Sequence, residues 1–214
     1  MSSPGVVHIV DDDGPYRAAL TRLLAAAGFE VCAFPSGGEL LAQLSPAASG
    51  CVLADLRMPG MNGLELQAAL ARVGVSLPMV FLTGQGDVPS AVHAIQQGAL
   101  DFLDKRAPLE QLTAAINRAL ERDGLARAAR ALQDRLRQRF ASLTERERQV
   151  LRQVVCGKMN KAIAAELGIH ERTVKLHRTA ITAKVGVRSV AQLTTLVRDA
   201  RLWEVPETPF PSGQ

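Results

Sequence analysis

The sequence predicts a doubly wound α/β domain, built on a five-stranded parallel sheet, followed by a smaller all-helical domain. Three observations carry this. Across residues 1–120, short apolar runs alternate with stretches of helical periodicity. Those runs are continuous rather than alternating, as in strands of a parallel sheet covered on both faces. From Ser142 onward the period is helical throughout. A chain of 214 residues also suits two modest domains better than one.

VVHIV (6–10) is the first strand, and an amphipathic stretch follows to Ala27. Leu20, Leu23, Leu24 and Ala27 recur there at helical spacing before Gly28 ends the helix. Next come EVCAF (30–34), a helix near 37–44, CVLA (51–54) and a helix near 64–73. PMVFL (78–82), a helix near 88–97, DFLD (101–104) and a helix near 109–120 complete the unit. Right-handed crossovers would join these strands into one sheet.

Residues 121–141 are rich in Ala and Arg and lack turn residues after Gly124. Leu125, Ala129, Leu132, Leu136 and Phe140 mark one apolar stripe on a linker helix. Two readings fit it: packing on the chain's own domains, or a short parallel coiled coil with a second copy. Beyond it, Thr144 and Glu147 form a capping box for a helix to about Cys156. Helices then span roughly 160–167, 171–184 and 190–200, with Gly168 stopping the first of these three. The expected domains are 1–120, a linker at 121–141, a helical domain at 142–202, and a Pro-rich disordered tail at 203–214.

Composition is close to that of ordinary globular proteins, with 47% hydrophobic and 21% charged residues, which excludes wholesale disorder. The longest charge-free stretch, residues 40–54, is too short and too broken to span a bilayer. The apolar run at 6–10 ends in three aspartates, unlike a secretory signal. Cys32, Cys51 and Cys156 are widely spaced in apolar segments and read as reduced core residues of a cytoplasmic protein. The net charge of +4 conceals a division: −4 over 1–120, +3 over 121–140 and +5 over 141–214. An acidic half joined to a basic one implies cation or phosphate chemistry first, then a polyanion.

The ligand site of a doubly wound sheet lies outside the carboxyl ends of its strands. Those ends carry Asp11-Asp12-Asp13, Asp55, Thr83 and Lys105. Carboxylates converging in one crevice call for a hard cation, and Mg2+ binds through one or two carboxylates plus phosphate oxygens and waters. A hydroxyl and an ammonium beside them suit a tetrahedral dianion, so together they describe an aspartate that accepts a phosphoryl group. Singly, each residue fits a blander role: a strand-end Asp as helix cap, a lone Lys as a solvated charge. The set on four strand ends is what carries chemistry.

VHIVDDD, DLRMPGMNGLEL and FLTGQGDVPSAVHAIQQGALDFLDK resemble the receiver domain of two-component response regulators, most closely the FixJ type, over residues 6 to about 120. The resemblance implies that Asp55 takes the phosphoryl group from a phosphohistidine of a sensor histidine kinase. It implies that Asp11, Asp12, Asp55 and the Arg57 backbone carbonyl hold Mg2+. Thr83 and Lys105 would bind phosphate oxygens, Phe102 would be the rotameric switch coupled to Thr83, and Asp13 reads as a capping or solvated carboxylate. Arg57 and Gln85 occupy positions that modulate dephosphorylation in the family.

Two departures stand out. The family has Pro joined by a cis bond after the lysine, whereas this chain has Lys105-Arg106. Cis geometry before a non-proline costs about 2.5–4 kcal/mol, so a trans bond and a less firmly placed Lys105 are expected. Asn62 replaces the usual Asp and reads as a loop residue of little consequence.

In the basic half, two helices joined around Gly168 have the spacing of a helix-turn-helix, whose second helix enters the major groove. Lys175, Arg178 and Thr179 share one face of that helix, while Val174, Ile181 and Val185 face a core. Lys158, Lys161, Arg172 and Arg188 flank it as candidate phosphate contacts. A small helical bundle with a solvated basic face fits the same pattern. LTERERQVLRQVVCGKMNKAIAAELGIHERTVKLHRTAITAKVGVRSVAQLTTL resembles the LuxR-type DNA-binding domain over 143–197. That implies a four-helix domain binding double-stranded DNA as a dimer, with Lys175 and Thr179 at base-contact positions and the helix near 190–200 as dimerisation element. His170 stands where Ser or Thr is usual before the recognition helix, and it should cap less well.

The expected function is a cytoplasmic transcription regulator that forms a homodimer when phosphorylated and then binds DNA, with RNA polymerase as a further partner. It would not be an enzyme beyond its own phosphoryl transfer and dephosphorylation. The alternatives are a receiver that dimerises independently of phosphorylation, and a phosphohydrolase using Asp55 as nucleophile. The second lacks any evident substrate-binding domain.

Overall fold

The computed structural model describes residues 5–84 and 95–199. The chain divides into two compact units, 1–128 and 129–214, and each is taken by itself.

The first unit is a five-stranded parallel sheet in the order β2-β1-β3-β4-β5. Its strands are β1 (Val6–Val10), β2 (Val31–Phe34), β3 (Gly50–Asp55), β4 (Met79–Thr83) and β5 (Asp101–Asp104). Helices α1 (Gly14–Ala26), α2 (Gly37–Gln43) and α3 (Gly63–Arg72) separate the early strands, and α4 (Leu109–Ala141) follows the last. The helix expected over 88–97 falls largely outside the described residues. β3 and β4 are buried along their whole length, which explains their unbroken apolar character.

Two apolar layers cover the sheet. One joins Val10, Val52 and Phe81 of the strands to Leu40, Leu66 and Leu70 of α2 and α3. The other joins Val7, Ile9, Leu53 and Leu82 to Leu20 and Leu24 of α1 and to Leu112, Ala115, Ile116 and Ala119 of α4. β2 is an edge strand, and Cys32 on it is exposed; Cys156, after the fifth helix, is exposed too. Of the three cysteines placed in the core from sequence, only Cys51 is buried, where burial pushes its thiol up to about 12. Apolar neighbours in sequence do not distinguish an edge strand or a helix end from an interior.

Two glycines permit the close contacts of this unit. Gly50 has φ of +122°, and a Cβ there would lie 1.8 Å from the Val6 carbonyl oxygen. A Cβ on Gly63 would lie 2.6 Å from the Asp55 carbonyl oxygen, so only Gly lets α3 start against the end of β3. Asn62 directly before it is no idle loop residue. It caps α3, accepting from the Glu65 amide while Glu65 accepts from the Asn62 amide, at 2.9 Å each.

The helix near 109–120 and the linker helix are one continuous element, α4. Gly124 does not interrupt it, because an interior Gly costs only about 1 kcal/mol against Ala. The carboxylate of Asp123, 1% exposed, accepts from the Gly50 amide (2.9 Å) and Arg127 Nε (2.8 Å), fastening the helix to the start of β3.

The second unit holds the end of α4 with α5 (Glu145–Val155), α6 (Asn160–Leu167), α7 (Glu171–Val185) and α8 (Val190–Asp199). Leu136 and Phe140 are buried, whereas Leu125 and Leu132 on the same stripe are 68% and 57% exposed. The Thr144–Glu147 capping box forms as expected. Buried Glu147 also pairs with Lys184 at 2.7 Å. Burial works against the Glu147 carboxylate, but Lys184 and the Thr144 hydrogen bonds outweigh it and hold its pKa below the usual value. Val174, Ile181 and Val185 lie at 0% exposure in the core, as their spacing indicated. The tail expected from residue 203 lies outside the described residues.

Candidate functional site

In this strand order the sheet reverses direction of growth between β1 and β3, and the crevice forms at their carboxyl ends. Asp11 follows β1 and Asp55 ends β3, so the two flank that point. Asp11 is 1% and Asp55 8% exposed, while Asp12 is open to solvent. One carboxylate oxygen from each of the three lies within 4.8 Å of the others. This hard-oxygen set fits a divalent cation, and Asp11, Asp12 and Asp55 are the side chains that would hold it.

Lys105, just past β5, reaches into the same crevice. Its Nζ lies 2.7 Å from Asp11 Oδ2 and 2.8 Å from Asp55 Oδ2. Burial opposes the ammonium charge, but the two carboxylates outweigh it and raise the Lys105 pKa. Burial likewise raises the pKa of Asp11, against the lowering effect of Lys105 and of the Asp13 amide. On the other side, Asp55 Oδ1 accepts from the Arg57 amide at 3.1 Å. Asp13 caps α1, its carboxylate accepting from the Tyr16 amide. Thr83 ends β4 with 2% exposure, and its carbonyl accepts from the Lys105 amide at 2.8 Å. Phe102, half-buried on β5, packs on the first apolar layer. Gln85 lies outside the described residues.

No cis peptide occurs among the described residues, so Lys105–Arg106 is trans as expected. The expected looseness of Lys105 is not found. Both carboxylates hold its head, and the Tyr16 hydroxyl donates to its carbonyl at 3.3 Å. Tyr16 and Arg17, which donates to the Asp11 carbonyl, were not singled out from sequence. Their signal was position: both stand in the first turn of the helix that leaves the acidic strand end.

The face of α7 is largely as drawn from its spacing. Arg172, Lys175 and Thr179 are exposed together, and Lys158 and Lys161 are exposed nearby in sequence. Three basic residues are already engaged: Lys158 pairs with Glu166 at 2.5 Å, Lys175 lies 3.9 Å from the Glu171 carboxylate, and half-buried Arg178 donates to Asn160 Oδ1 at 2.6 Å. Arg178 thus also ties α7 to α6. His170 precedes α7 and makes no side-chain capping bond.

Comparison with known proteins is consistent across both halves. Residues 7–117 match the response regulator receiver domain, and residues 141–197 match the luxR family of bacterial regulatory proteins. This chain is a two-component response regulator. Nodulation protein W of Bradyrhizobium diazoefficiens is 41% identical over 192 residues, covering 90% of this chain and 85% of that protein. The transcriptional regulatory protein FixJ of the same organism is 37% identical over 94% of this chain and 98% of its own length. Response regulator protein TodT of Pseudomonas putida is 40% identical over 88% of this chain and 83% of its own. Among solved structures, response regulator StyR aligns with a TM-score of 0.83 at 45% identity, covering 92% of this chain and 99% of that one. Full-length FixJ from B. japonicum aligns over 95% and 100% with a TM-score of 0.55 at 36% identity. The response regulator therefore joins a receiver to a LuxR-type DNA-binding domain, an architecture of transcription regulation rather than of a typical enzyme. A histidine kinase and DNA are the partners these two domains imply. No helix among the described residues is long and apolar enough to cross a membrane.

Proposed function

We propose that Asp55 accepts a phosphoryl group from a sensor histidine kinase and that this event switches DNA binding by the LuxR-type domain. The observation that carries the reading is the Lys105 ammonium seated between Asp11 and Asp55 at the strand ends. An Asp55 carboxylate oxygen attacks phosphorus, the new O–P bond forming as the N–P bond of phosphohistidine breaks, and the imidazole leaves with the electron pair. Asp11, Asp12, Asp55 and the Arg57 carbonyl would hold Mg2+, which offsets charge on the phosphoryl oxygens. Lys105 supplies a fixed positive charge to the same oxygens, and the Arg57 amide orients the Asp55 carboxylate. Thr83 then binds a phosphate oxygen and Phe102 changes rotamer. The only chemistry is the chain's own phosphorylation and dephosphorylation.

On this reading residues 1–120 are the receiver, 121–141 the linker and 142–202 the DNA-binding domain. The phosphorylated receiver forms a homodimer, and the pair engages double-stranded DNA in the cytoplasm, where RNA polymerase is a further partner. Lys175 and Thr179 contact bases, while Lys158, Lys161 and Arg172 hold phosphates. Arg178, on the same face, is a further DNA contact, and its bond to Asn160 steadies α7 against α6. Phosphate biases an existing monomer–dimer equilibrium, rather than pushing on DNA directly.

The reading is tested by incubating the protein with a small phosphodonor and Mg2+ and recording intact mass and oligomeric state. The native protein should gain one phosphoryl group and dimerise, and Asp55→Asn should do neither. An unchanged mass for the native protein would overturn the switch.

A further inference from the structure

Tyr16 lies on α1, far in sequence from Lys105, yet it contacts that residue twice. Its ring centroid sits 4.5 Å from Lys105 Nζ, and its hydroxyl donates to the Lys105 carbonyl at 3.3 Å. The half-buried ring also packs on the apolar layer between α1 and α4, so it has little freedom to move. Asp13 fixes it further by accepting from the Tyr16 amide at 3.0 Å. We infer that Tyr16 is a positioning residue for phosphoryl binding, holding the Lys105 ammonium over Asp55 through its ring and hydroxyl. The inference rests on the proposed role of Asp55.

The need for such a residue is local. Lys105 stands in a turn after a four-residue edge strand, and the next residue, Arg106, is exposed. Arg106 has no ring to restrict its backbone, and its amide donates to the Asp104 carboxylate at 2.7 Å. The Lys105 amide is tied to Thr83, but its carbonyl looks to Tyr16. A flexible lysine stem has several rotamers, and an aromatic face beside the ammonium favours the one that points into the crevice. The carboxylates draw the same head inward, yet their own charge is committed to a cation and the incoming group. The ring remains a partner for Lys105 throughout that exchange.

The test separates anion from metal. Affinity for fluoroberyllate, a phosphoryl mimic, and affinity for Mg2+ alone are measured by calorimetry on the full chain, with Tyr16→Phe and Tyr16→Leu beside the native protein. Tyr16→Leu should bind fluoroberyllate about tenfold more weakly. Tyr16→Phe, which keeps the ring, should recover most of that loss. Mg2+ affinity should stay within about twofold in both. Equal fluoroberyllate affinity in native and Tyr16→Leu proteins overturns the inference, as does a parallel loss of Mg2+ and anion with a lowered melting temperature. Failure of the native protein itself to bind fluoroberyllate would instead remove the Asp55 reading on which the inference stands.

Discussion

Asp11 shows what the receiver sacrifices in stability to hold its site. It is nearly devoid of exposure, and burial raises its pKa despite Lys105 beside it. A carboxyl group with a raised folded-state pKa stabilises the fold while protonated, below its unfolded value of about 3.8. That contribution is lost as pH rises through the folded-state value, so at neutral pH the ionised group is a burden. Asp11→Asn should therefore raise stability in metal-free buffer at pH 7 by about 0.5–2 kcal/mol, with Lys105 still paired to Asp55. The gain should shrink as the buffer is taken toward pH 4. Urea unfolding at the two pH values checks both statements, and a loss of stability at pH 7 would count against them. Added Mg2+ should raise the melting temperature of the native protein and leave Asp11→Asn unmoved, since a ligand stabilises only the state that binds it.

At the scale of elements, the boundaries are set by caps and glycines, and the second unit shows where one cap is weak. Thr144 and Asn62 each close a complete capping box, whereas His170 before α7 makes no side-chain capping bond. His170→Ser should stabilise the DNA-binding unit by about 0.5–2 kcal/mol in thermal unfolding, and no gain would show that this amide is satisfied in another way. The strands and most helix limits were legible because a parallel sheet writes itself as continuous apolar runs, and β5 falls where DFLD placed it. The fusion of two expected helices into α4 was not legible, since a lone Gly124 breaks a helix in some settings and is absorbed in others. Cys32 and Cys156 misled for a related reason: exposure depends on sheet order and helix packing, which no local window holds. The acidic strand ends could be read because each sits one step past an apolar run. Tyr16 offered only its place in the turn after Asp11, and its pairing with Lys105 was not legible because the two lie 89 residues apart.

For the whole molecule, the division of charge has a physical basis. The first half gathers Asp11, Asp12 and Asp55 at one crevice, and the second exposes Arg172, Lys175 and Lys161. Each phosphate contact displaces counterions, so DNA affinity should fall steeply with salt. Coupling between Asp55 and DNA is the central claim, and DNA affinity before and after phosphorylation measures it. The probe is a genomic fragment recovered by selection with the phosphorylated protein, and binding is measured at one fixed salt concentration. Phosphorylation should tighten binding by about 5–150-fold in the native protein and leave Asp55→Asn at the unphosphorylated value. Equal affinity of native protein before and after stoichiometric phosphorylation would contradict the account and leave the receiver as a dimerisation module indifferent to phosphate.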